Sequence, residues 1–260
     1  MASVAVIIPT LNEVDAIGNV IAALPRAIVR EIIVADSGST DGTQAAARAA
    51  GARVVELRER GYGRACAFAA SMTDAACDII VFMDGDGADR ADLLRQLVAP
   101  IQDDAWDFVI AARVRHLREP HSMSIHQVVA GHVLGFAIGV VAGVRYSDMC
   151  AFRAIRRNAL NQLSMQEMTY GWNIEMQIKA AQHGLRILEV PLPYRCRVGG
   201  ESKVAGSIRG TIRASWRIAV TFFRVTAAGR KTLSVHGAEL SIASSGGVTD
   251  AQKRMCADRS

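Results

Sequence analysis

The chain has 260 residues, of which half are hydrophobic and 5% aromatic, and it carries 30 Lys and Arg against 25 Asp and Glu. This length accommodates one large α/β domain or two small ones, and the formal charge of +5 says little about partners by itself. The five cysteines are too widely spaced for a metal site, so we expect reduced thiols in a cytoplasmic protein. Residues 1–3 lead directly into a strand-like run, and we expect no secretory signal.

The first half of the chain alternates between strand and helix patterns. Short apolar runs predict strands at 4–8, 31–35, 53–57, 78–83 and 107–111. Helical patterns predict helices between them at 13–24, 43–50, 61–73 and 89–98. Strands separated by helices of this length indicate right-handed βαβ units and a mostly parallel sheet flanked by helices.

The second half begins with an uncharged stretch. Residues 128–144 contain no charge and have glycine at every fourth position from Gly131 to Gly143. Such glycines let another helix pack closely, which favours a buried or membrane-dipping helix. The length also lies near the lower limit of a transmembrane span, so that alternative stays open.

Four further elements and a tail are predicted after this stretch. A strand with a turn, a helix, a second strand and a basic helix follow at 147–157, 170–183, 186–194 and 207–228. Gly184 ends the first of these helices, and Pro191 and Pro193 indicate that the second strand lies at a sheet edge. Residues 232–260 lose periodicity, and we expect a disordered tail.

Two acidic residues follow the fourth predicted strand. Asp84 and Asp86 flank Gly85 where the chain turns, so both carboxylates can approach one point. Carboxylates in this arrangement suit Mg²⁺ or Mn²⁺, with a diphosphate supplying further oxygens. Ligands of open α/β sheets bind at the carboxyl ends of the strands, which favours a metal site over a solvated acidic turn.

Asp36 ends the second predicted strand and precedes a turn rich in Gly and Ser. A carboxylate at this place can accept hydrogen bonds from a nucleobase or a ribose, and a helix-capping role stays open. The later segment 61–64 resembles part of a dinucleotide fingerprint, but Cys66 replaces the third glycine and the segment follows the third strand. We therefore expect no dinucleotide site.

The C-terminal third is strongly basic. Residues 186–231 contain ten basic and two acidic residues. The segment 195–203 combines Arg195, Arg197 and Lys203 with two glycines, which allows a loop to approach and neutralise phosphate, and a basic surface loop is the alternative. This region lacks the interleaved aromatic residues of a stacking platform, so we expect no nucleic-acid partner.

Seven motifs follow one another along roughly residues 3–225. They are 6–13 (VIIPTLNE), 34–43 (VADSGSTDGT), 83–87 (MDGDG), 147–153 (SDMCAFR), 170–176 (YGWNIEM), 189–191 (EVP) and 199–203 (GGESK). Together they resemble glycosyltransferase family 2. The last four look like the branch that includes dolichyl-phosphate mannose synthase and polyprenyl-phosphate glucosyltransferases.

The resemblance implies a GT-A fold over residues 1–231, with a nucleotide-sugar-binding half at 3–115 and an acceptor half at 116–231. It implies an inverting transferase that uses a UDP- or GDP-sugar and a Mg²⁺ or Mn²⁺ ion between Asp84 and Asp86. The implied donor site comprises Pro9, Thr10, Asn12, Glu13, Asp36, Arg64, Asp84, Gly85 and Asp86.

The resemblance also implies an acceptor side. The catalytic roles fall on Asp148, Arg153 and Lys203, and the phosphate-binding roles on Arg113, Arg197, Ser202 and Lys203. The implied acceptor is a polyprenyl or dolichyl phosphate at the cytoplasmic face of the membrane. We expect peripheral contact through the basic helix, with arginines on anionic headgroups and aromatic side chains in the interface. The oligomeric state is left open.

The chain departs from many relatives at positions that bear on the substrate. Ala88 stands in place of Gln, and 149–151 reads Met-Cys-Ala in place of Thr-Ser-Gly. Asp148 is the candidate general base for a hydroxyl acceptor. Relatives that act on hydroxyls often carry Glu-Asp where this chain has Trp172 and Asn173, which favours an acceptor that is already an anion. Transfer to a saccharide or small-molecule hydroxyl, and a non-catalytic nucleotide-sugar-binding domain, stay as alternatives.

Overall fold

The computed structural model describes residues 3–198 and 215–227. Its strands are β1 (Val4–Thr10), β2 (Val29–Asp36), β3 (Arg53–Glu56), β4 (Ile79–Phe82), β5 (Phe108–Ala112), β6 (Arg153–Arg156) and β7 (Ile187–Pro191). Its α-helices are α1 (Val14–Ala23), α2 (Thr43–Ala49), α3 (Tyr62–Ser71), α4 (Leu94–Gln102), α5 (Ile125–Ala142), α6 (Arg157–Leu163), α7 (Trp172–Gln182) and α8 (215–227). The alternation of strands and helices predicted for the first half is confirmed.

The seven strands form one sheet in the order β3-β2-β1-β4-β6-β5-β7. Paired strands are parallel except that β6 runs antiparallel to β4 and to β5. Residues 4–8 of β1 are all 0% exposed, so both faces of the sheet are covered at its centre. The expected α/β fold with a mostly parallel sheet is confirmed, and the carboxyl ends of β1, β2 and β4 lie at one edge.

The region at 147–157 differs from its prediction. Its strand, β6, begins only at Arg153, and the chain continues directly into α6. The helix escaped sequence analysis because it is only 7 residues long, too short for its buried Ala159, Leu160 and Leu163 to establish a period. The edge position predicted for β7 is confirmed, since β7 pairs with β5 at the end of the sheet.

The uncharged stretch forms α5, which begins after a capping box of Ser124 and Gln127 and ends at Gly143 with a φ of +75°. Its glycine-bearing side is packed, since a Cβ at Gly135 would lie 1.9 Å from the carbonyl oxygen of Tyr146. The opposite side is exposed, so the prediction of a buried helix is right for one face only. Within the two described ranges, no helix combines the length and apolar character needed to cross a membrane.

Helix α8 is the part of the predicted basic helix that the structure describes. Thr221 and Val225 are buried against the protein. The Glu167 carboxylate accepts hydrogen bonds from the Thr221 hydroxyl (3.0 Å) and from Arg224 (2.9 Å), and this anchors the helix. The start of the predicted helix and the predicted tail at 232–260 lie outside the described residues.

Replacement of Gly135 by alanine tests the close packing of α5. We expect Gly135→Ala to lower the free energy of unfolding by about 1–3 kcal/mol, because the added methyl group collides with the backbone of Tyr146. Gly18→Ala is the matched control: Gly18 lies in α1 with open space around its Cβ position, so the substitution should stabilise by up to about 1 kcal/mol. Denaturant titration measures both, and equal effects would contradict this packing.

Candidate active site

Asp36 ends β2 and is aligned with Thr10 at the end of β1. Its fully buried carboxylate accepts hydrogen bonds from the backbone N–H groups of Gly38 (3.1 Å) and Ser39 (2.9 Å), the hydroxyls of Ser39 and Thr10 (3.2 Å), and the amide of Gln44 (2.8 Å). Burial raises the pKa of Asp36, but these hydrogen bonds outweigh burial and hold the pKa below its ordinary value. The carboxylate therefore determines the shape of the turn after β2, and its contact with a nucleoside stays a prediction.

The loops that follow β1 and β2 are bound to each other. The side-chain oxygen of Asn12 accepts the N–H of Thr40 at 2.9 Å, and the N–H of Asn12 donates to the Ser39 hydroxyl at 2.8 Å. The N–H of Glu13 donates to the Thr43 hydroxyl at 2.8 Å. One edge of the sheet thus gathers five residues predicted for the donor site, namely Pro9, Thr10, Asn12, Glu13 and Asp36.

The acidic turn after β4 lies against the end of β1. A Cβ at Gly85 would be only 2.9 Å from Cγ2 of Thr10. Asp86 and Asp89 are 4% and 7% exposed, which contradicts the alternative of a solvated turn. Burial, with repulsion from neighbouring carboxylates, raises the pKa of Asp84 to about 8 and that of Asp89 to about 7. The turn therefore binds protons more tightly than exposed carboxylates do, and nearby positive charge would be needed for all three groups to ionise together.

Arg197 supplies positive charge to this turn. Its guanidinium lies 2.5 Å from Oδ2 of Asp86, and the backbone N–H of Val198 donates to the carbonyl oxygen of Asp86 at 2.8 Å. The N–H of Arg195 donates to the carbonyl oxygen of Ala88 at 3.0 Å. The segment 194–198 therefore runs beside the acidic turn, as the predicted role of Arg197 in phosphate binding requires.

Arg113 and Asp148 form a second charged pair at the site. Nε and Nη2 of Arg113 donate to the two oxygens of Asp148 at 2.6 and 2.7 Å, and the N–H of Arg113 donates at 3.0 Å. Burial raises the pKa of Asp148, but the bonds from Arg113 outweigh it and hold the pKa below its usual range. The Arg113 guanidinium also lies 5.1 Å from the centre of the Tyr194 ring. This pair therefore connects the end of β5 to the loop before β6 and to the segment after β7.

The loop that carries Asp148 is held in place by two other elements. The carboxylate of Glu189, on β7, accepts the N–H groups of Ser147 (2.9 Å) and Asp148 (3.3 Å). The side-chain amide of Gln177, on α7, donates to the carbonyl oxygen of Asp148 at 3.0 Å. The position of Asp148 is thus set by residues distant in sequence.

Arg153 does not line the cleft with the other predicted residues. The side chain is 0% exposed, and its guanidinium donates to the carbonyl oxygens of Cys150 and of Asn173 (3.1 Å). Because these hydrogen bonds hold the guanidinium inside the protein, we withdraw the catalytic role expected of Arg153 and propose that it supports the loop before β6.

The remaining predicted residues have different outcomes. Arg64, at the start of α3, forms an ion pair with Glu59 at 2.6 Å, and its contact with the donor stays a prediction. Ser202 and Lys203 lie outside the described residues.

Asp84 and Asp86 fit a divalent cation. Among the described residues, none donates a hydrogen bond to the carboxylate of Asp84. The nearby carboxylates of Asp86 and Asp89 repel it. A cation would remove that repulsion. The part of the chain that the structure describes contains no group of three or more His, Cys, Asp or Glu arranged to hold a metal, and the metal site at Asp84 and Asp86 stays a prediction.

Three residues at the site escaped sequence analysis. Asp89 accepts the N–H of Asp84 at 3.3 Å, and the Cys150 thiol lies 3.7 Å from the other oxygen of Asp89. Tyr194 stacks with Arg113 and bridges to Asp89 through the backbone. Asp89 follows Asp86 by only three positions, and this proximity in the sequence could have identified it as a member of the acidic turn. No local pattern indicated that Cys150 or Tyr194 belongs to the site.

Acid titration of Asp36→Asn tests the role of this carboxylate. The folded pKa of Asp36 is lowered, so its stabilisation is present above the unfolded pKa of about 3.9 and is lost as the pH falls through the folded value. We expect the substitution to cost about 1.5–3 kcal/mol near neutral pH and to reduce the loss of stability on acidification. Asp15→Asn, at an exposed position of α1, should behave as the wild type. Urea unfolding at several pH values measures the free energy of unfolding of each variant. If Asp36→Asn lost as much stability on acidification as the wild type, the role assigned to this carboxylate would be contradicted.

The comparison with known families identifies one match over this part of the chain. The family model described as glycosyl transferase family 2 matches residues 5–164, which include β1 to α6 and the acidic turn. An uncharacterized glycosyltransferase of Mycobacterium tuberculosis (strain H37Rv) is 34% identical over 214 residues, covering 82% of this chain and 94% of that protein.

Two further similarities concern proteins with named activities. A dolichyl-phosphate hexose transferase of Haloferax volcanii is 32% identical over 198 residues, covering 75% of this chain and 84% of that protein. The fold is similar to glucosyl-3-phosphoglycerate synthase of Mycobacterium tuberculosis, crystallised with Mn²⁺, UDP-glucose and phosphoglyceric acid. The TM-score is 0.69 at 24% identity, covering 87% of this chain and 80% of that one. The family match, the fold and the buried acidic turn agree, and the chain belongs to glycosyl transferase family 2.

Proposed function

We propose that this protein transfers a hexosyl group, with inversion, from a UDP- or GDP-sugar to a polyprenyl or dolichyl phosphate at the cytoplasmic face of the membrane. The donor would lie along the ends of β1, β2 and β4, with the nucleoside beside residues 9–13, Asp36 and Arg64. Its diphosphate would lie beside Asp84, Asp86 and Arg197. Family membership and the gathering of these side chains at one sheet edge support this placement.

The metal requirement is supported by the two carboxyl groups of Asp84 and Asp86, which lie together in the turn after β4. A Mg²⁺ or Mn²⁺ ion bound there would stabilise the charge that develops on the departing nucleoside diphosphate. Arg197, already next to Asp86, lies where it can add a second positive charge to the same phosphates. The predicted roles of Ser202 and Lys203 in phosphate binding belong to the same proposal.

The pair of Arg113 and Asp148 is the observation that favours a phosphate acceptor over a hydroxyl acceptor. A hydroxyl acceptor needs a general base, but both oxygens of Asp148 are bound to Arg113 and its pKa is held low. A lipid phosphate arrives as an anion and needs only to be positioned. Arg113 would orient that phosphate while Asp148 holds the guanidinium in place. The in-line step then forms the bond from phosphate oxygen to the anomeric carbon as the bond to the diphosphate breaks.

Helix α8 supports contact with the membrane. Trp216 and Phe223 are each 69% exposed, and Arg217 lies exposed beside them. An exposed helix with aromatic and basic side chains suits the interface of an anionic bilayer. The anchor between Glu167 and Arg224 would keep this helix attached to the catalytic domain.

A small phosphorylated acceptor is the second candidate. Its support is the fold similarity to glucosyl-3-phosphoglycerate synthase, whose acceptor by name is a phosphorylated acid. The charged pair of Arg113 and Asp148 could bind such an anion in the same way as a lipid phosphate. The two candidates therefore share the binding chemistry and differ in the acceptor that is consumed.

An acceptor screen tests the proposed reaction. Purified protein with Mn²⁺ or Mg²⁺ receives each UDP- or GDP-sugar with polyprenyl phosphate, phosphoglycerate or a free sugar, and mass spectrometry reads the products. We expect glycosylated polyprenyl phosphate, abolished by a chelator and restored by the metal. Asp86→Asn should lower the rate by about 10²–10³-fold, because a carboxylate beside the metal and diphosphate is lost.

Asp92→Asn is the matched control for this screen, since Asp92 pairs with Arg90 on the exposed side of the same region. It should retain the wild-type rate. Product from phosphoglycerate alone would establish the second candidate, and product from the free sugar alone would refute a phosphate acceptor. Full activity of Asp86→Asn would refute the assigned site. No turnover with any donor would favour a domain that only binds nucleotide-sugar.

Asp148→Asn separates a positioning role from a general-base role. We expect the KM for the lipid phosphate to rise about tenfold, because Arg113 loses its charged partner. The fall of kcat at low pH should be the same as in the wild type. The control is Asp107→Asn, which removes the partner of Arg186 at the opposite end of β5 and should leave both kinetic parameters unchanged. Loss of the fall of kcat at low pH without a change in KM would instead identify Asp148 as the base.

A further inference from the structure

Helix α5 has an apolar face that the rest of the described structure leaves uncovered. The outward stripe consists of Ile125, Val129, Val133, Phe136 and Val140, which are between 54% and 84% exposed. These residues recur at intervals of three and four positions, so they lie on one side of the helix. Isolated exposed apolar residues are ordinary, but five along a single stripe indicate a surface that is covered in function.

The opposite side of α5 is locked against the domain. Ile138 is 0% exposed, and the approach of Gly135 to Tyr146 leaves no room for a methyl group. Gly139 is also close to its neighbour, since a Cβ there would lie 3.3 Å from Cβ of Arg145. The helix therefore cannot rotate to bury the outward stripe within this fold. Residues 120–144 contain no charged Asp, Glu, Lys or Arg side chain, so no charge interrupts the exposed face.

The charges around the stripe indicate what covers it. Arg115 and Arg118 precede α5, and Arg145 follows it with its guanidinium 5.7 Å from the centre of the Phe136 ring. Between 113 and 147 the only acidic residue is Glu119, whose carboxylate accepts the N–H of Cys196 at 2.7 Å. An uncharged apolar centre with arginines at both ends matches the hydrocarbon boundary and the anionic headgroups of a bilayer.

The same charges disfavour a second copy of the chain as the occupant. Two copies that met through the stripe about a twofold axis would bring each end of α5 against an end of the other α5. In the parallel and in the antiparallel arrangement, arginines would then face arginines. Like charges across an interface oppose association.

We propose that the outward stripe of α5 inserts into the interface of an anionic lipid bilayer and seats the catalytic domain on the membrane. Helix α5 also adjoins the site, because a Cβ at Gly131 would lie 3.7 Å from Oδ1 of Asp148. The pair of Arg113 and Asp148 is therefore separated from the lipid by about one helix diameter, roughly 10 Å. A lipid phosphate would then reach Arg113 along α5. This consequence rests on the proposed function, whereas the membrane contact does not.

Vesicle binding of the full chain without substrates tests the proposal. The probes are vesicles of phosphatidylcholine with and without phosphatidylglycerol, and the affinity is measured by titration and flotation. We expect Phe136→Asp and Val133→Asp to weaken binding to the anionic vesicles by about tenfold or more, because each replaces an apolar side chain that would insert into the bilayer with a carboxylate that the anionic headgroups repel. Val133→Ser, a milder change, should weaken binding less and serves if an aspartate variant fails to fold.

The matched control is Phe68→Asp, since Phe68 is 42% exposed on α3, which packs on β1 and β2. It should bind vesicles as the wild type does. Unchanged binding of the stripe variants, equal loss in Phe68→Asp, or absence of wild-type binding would each overturn the proposal. A dimer by light scattering that Phe136→Asp dissociates would assign the stripe to a second copy. Slow labelling of Phe136→Cys by a polar maleimide in the lipid-free monomer, relative to Phe68→Cys, would assign it to the rest of the chain.

The membrane contact of α5 and the proposed reaction can be refuted separately. Transfer to a short-chain, water-soluble polyprenyl phosphate needs no vesicle. Wild-type transfer together with unaltered vesicle binding by the stripe variants would remove only the role of α5. Vesicle binding through the stripe without transfer to any lipid phosphate would remove only the proposed acceptor.

Discussion

The crowding of three carboxyl groups at the carboxyl end of β4 is the constraint on which the site depends. Asp84, Asp86 and Asp89 are close together in one turn, where Asp86 and Asp89 are buried, and burial together with repulsion between the carboxylates raises the pKa of Asp84 and of Asp89. With every carboxyl ionised, such a cluster is stable in a folded protein only when positive charge is close. Arg197 and Arg113 supply part of that charge, and a divalent cation would add to it.

The sheet topology explains how Arg113 and Arg197 come to lie near the acidic turn. The parallel strands β1, β2 and β4 bring the residues that we propose for the donor site to one edge, as open α/β sheets do. The antiparallel strand β6 then returns the chain between β4 and β5, so the loop before β6 carries Asp148 to the same edge as Arg113. After β7 the chain passes the acidic turn again and delivers Arg197. The second half of the chain therefore completes a site that the first half begins.

The acceptor side that we propose combines two surfaces with different properties. Inside the site, the arginine held by Asp148 suits an acceptor that arrives as an anion. Outside it, α5 presents apolar residues to the surroundings while its glycine-bearing face approaches Asp148. One helix thus separates a charged binding site from an apolar surface, an arrangement suited to an amphipathic substrate with a phosphate at one end. A soluble phosphorylated acceptor would use the first surface and have no need of the second.

The sequence by itself determined the alternation of strands and helices, the edge position of β7 and the acidic turn, because periodicity, proline and adjacent carboxylates are local signals. Only the tertiary structure decided which charges meet. Arg113 binds Asp148 across 35 positions and Arg197 binds Asp86 across 111, and both pairings depend on the reversal of the chain at β6 and β7. It also decided that Arg153 is buried and that one face of α5 is not. A local pattern records the type of a residue, whereas burial and charge pairing depend on the elements packed around it.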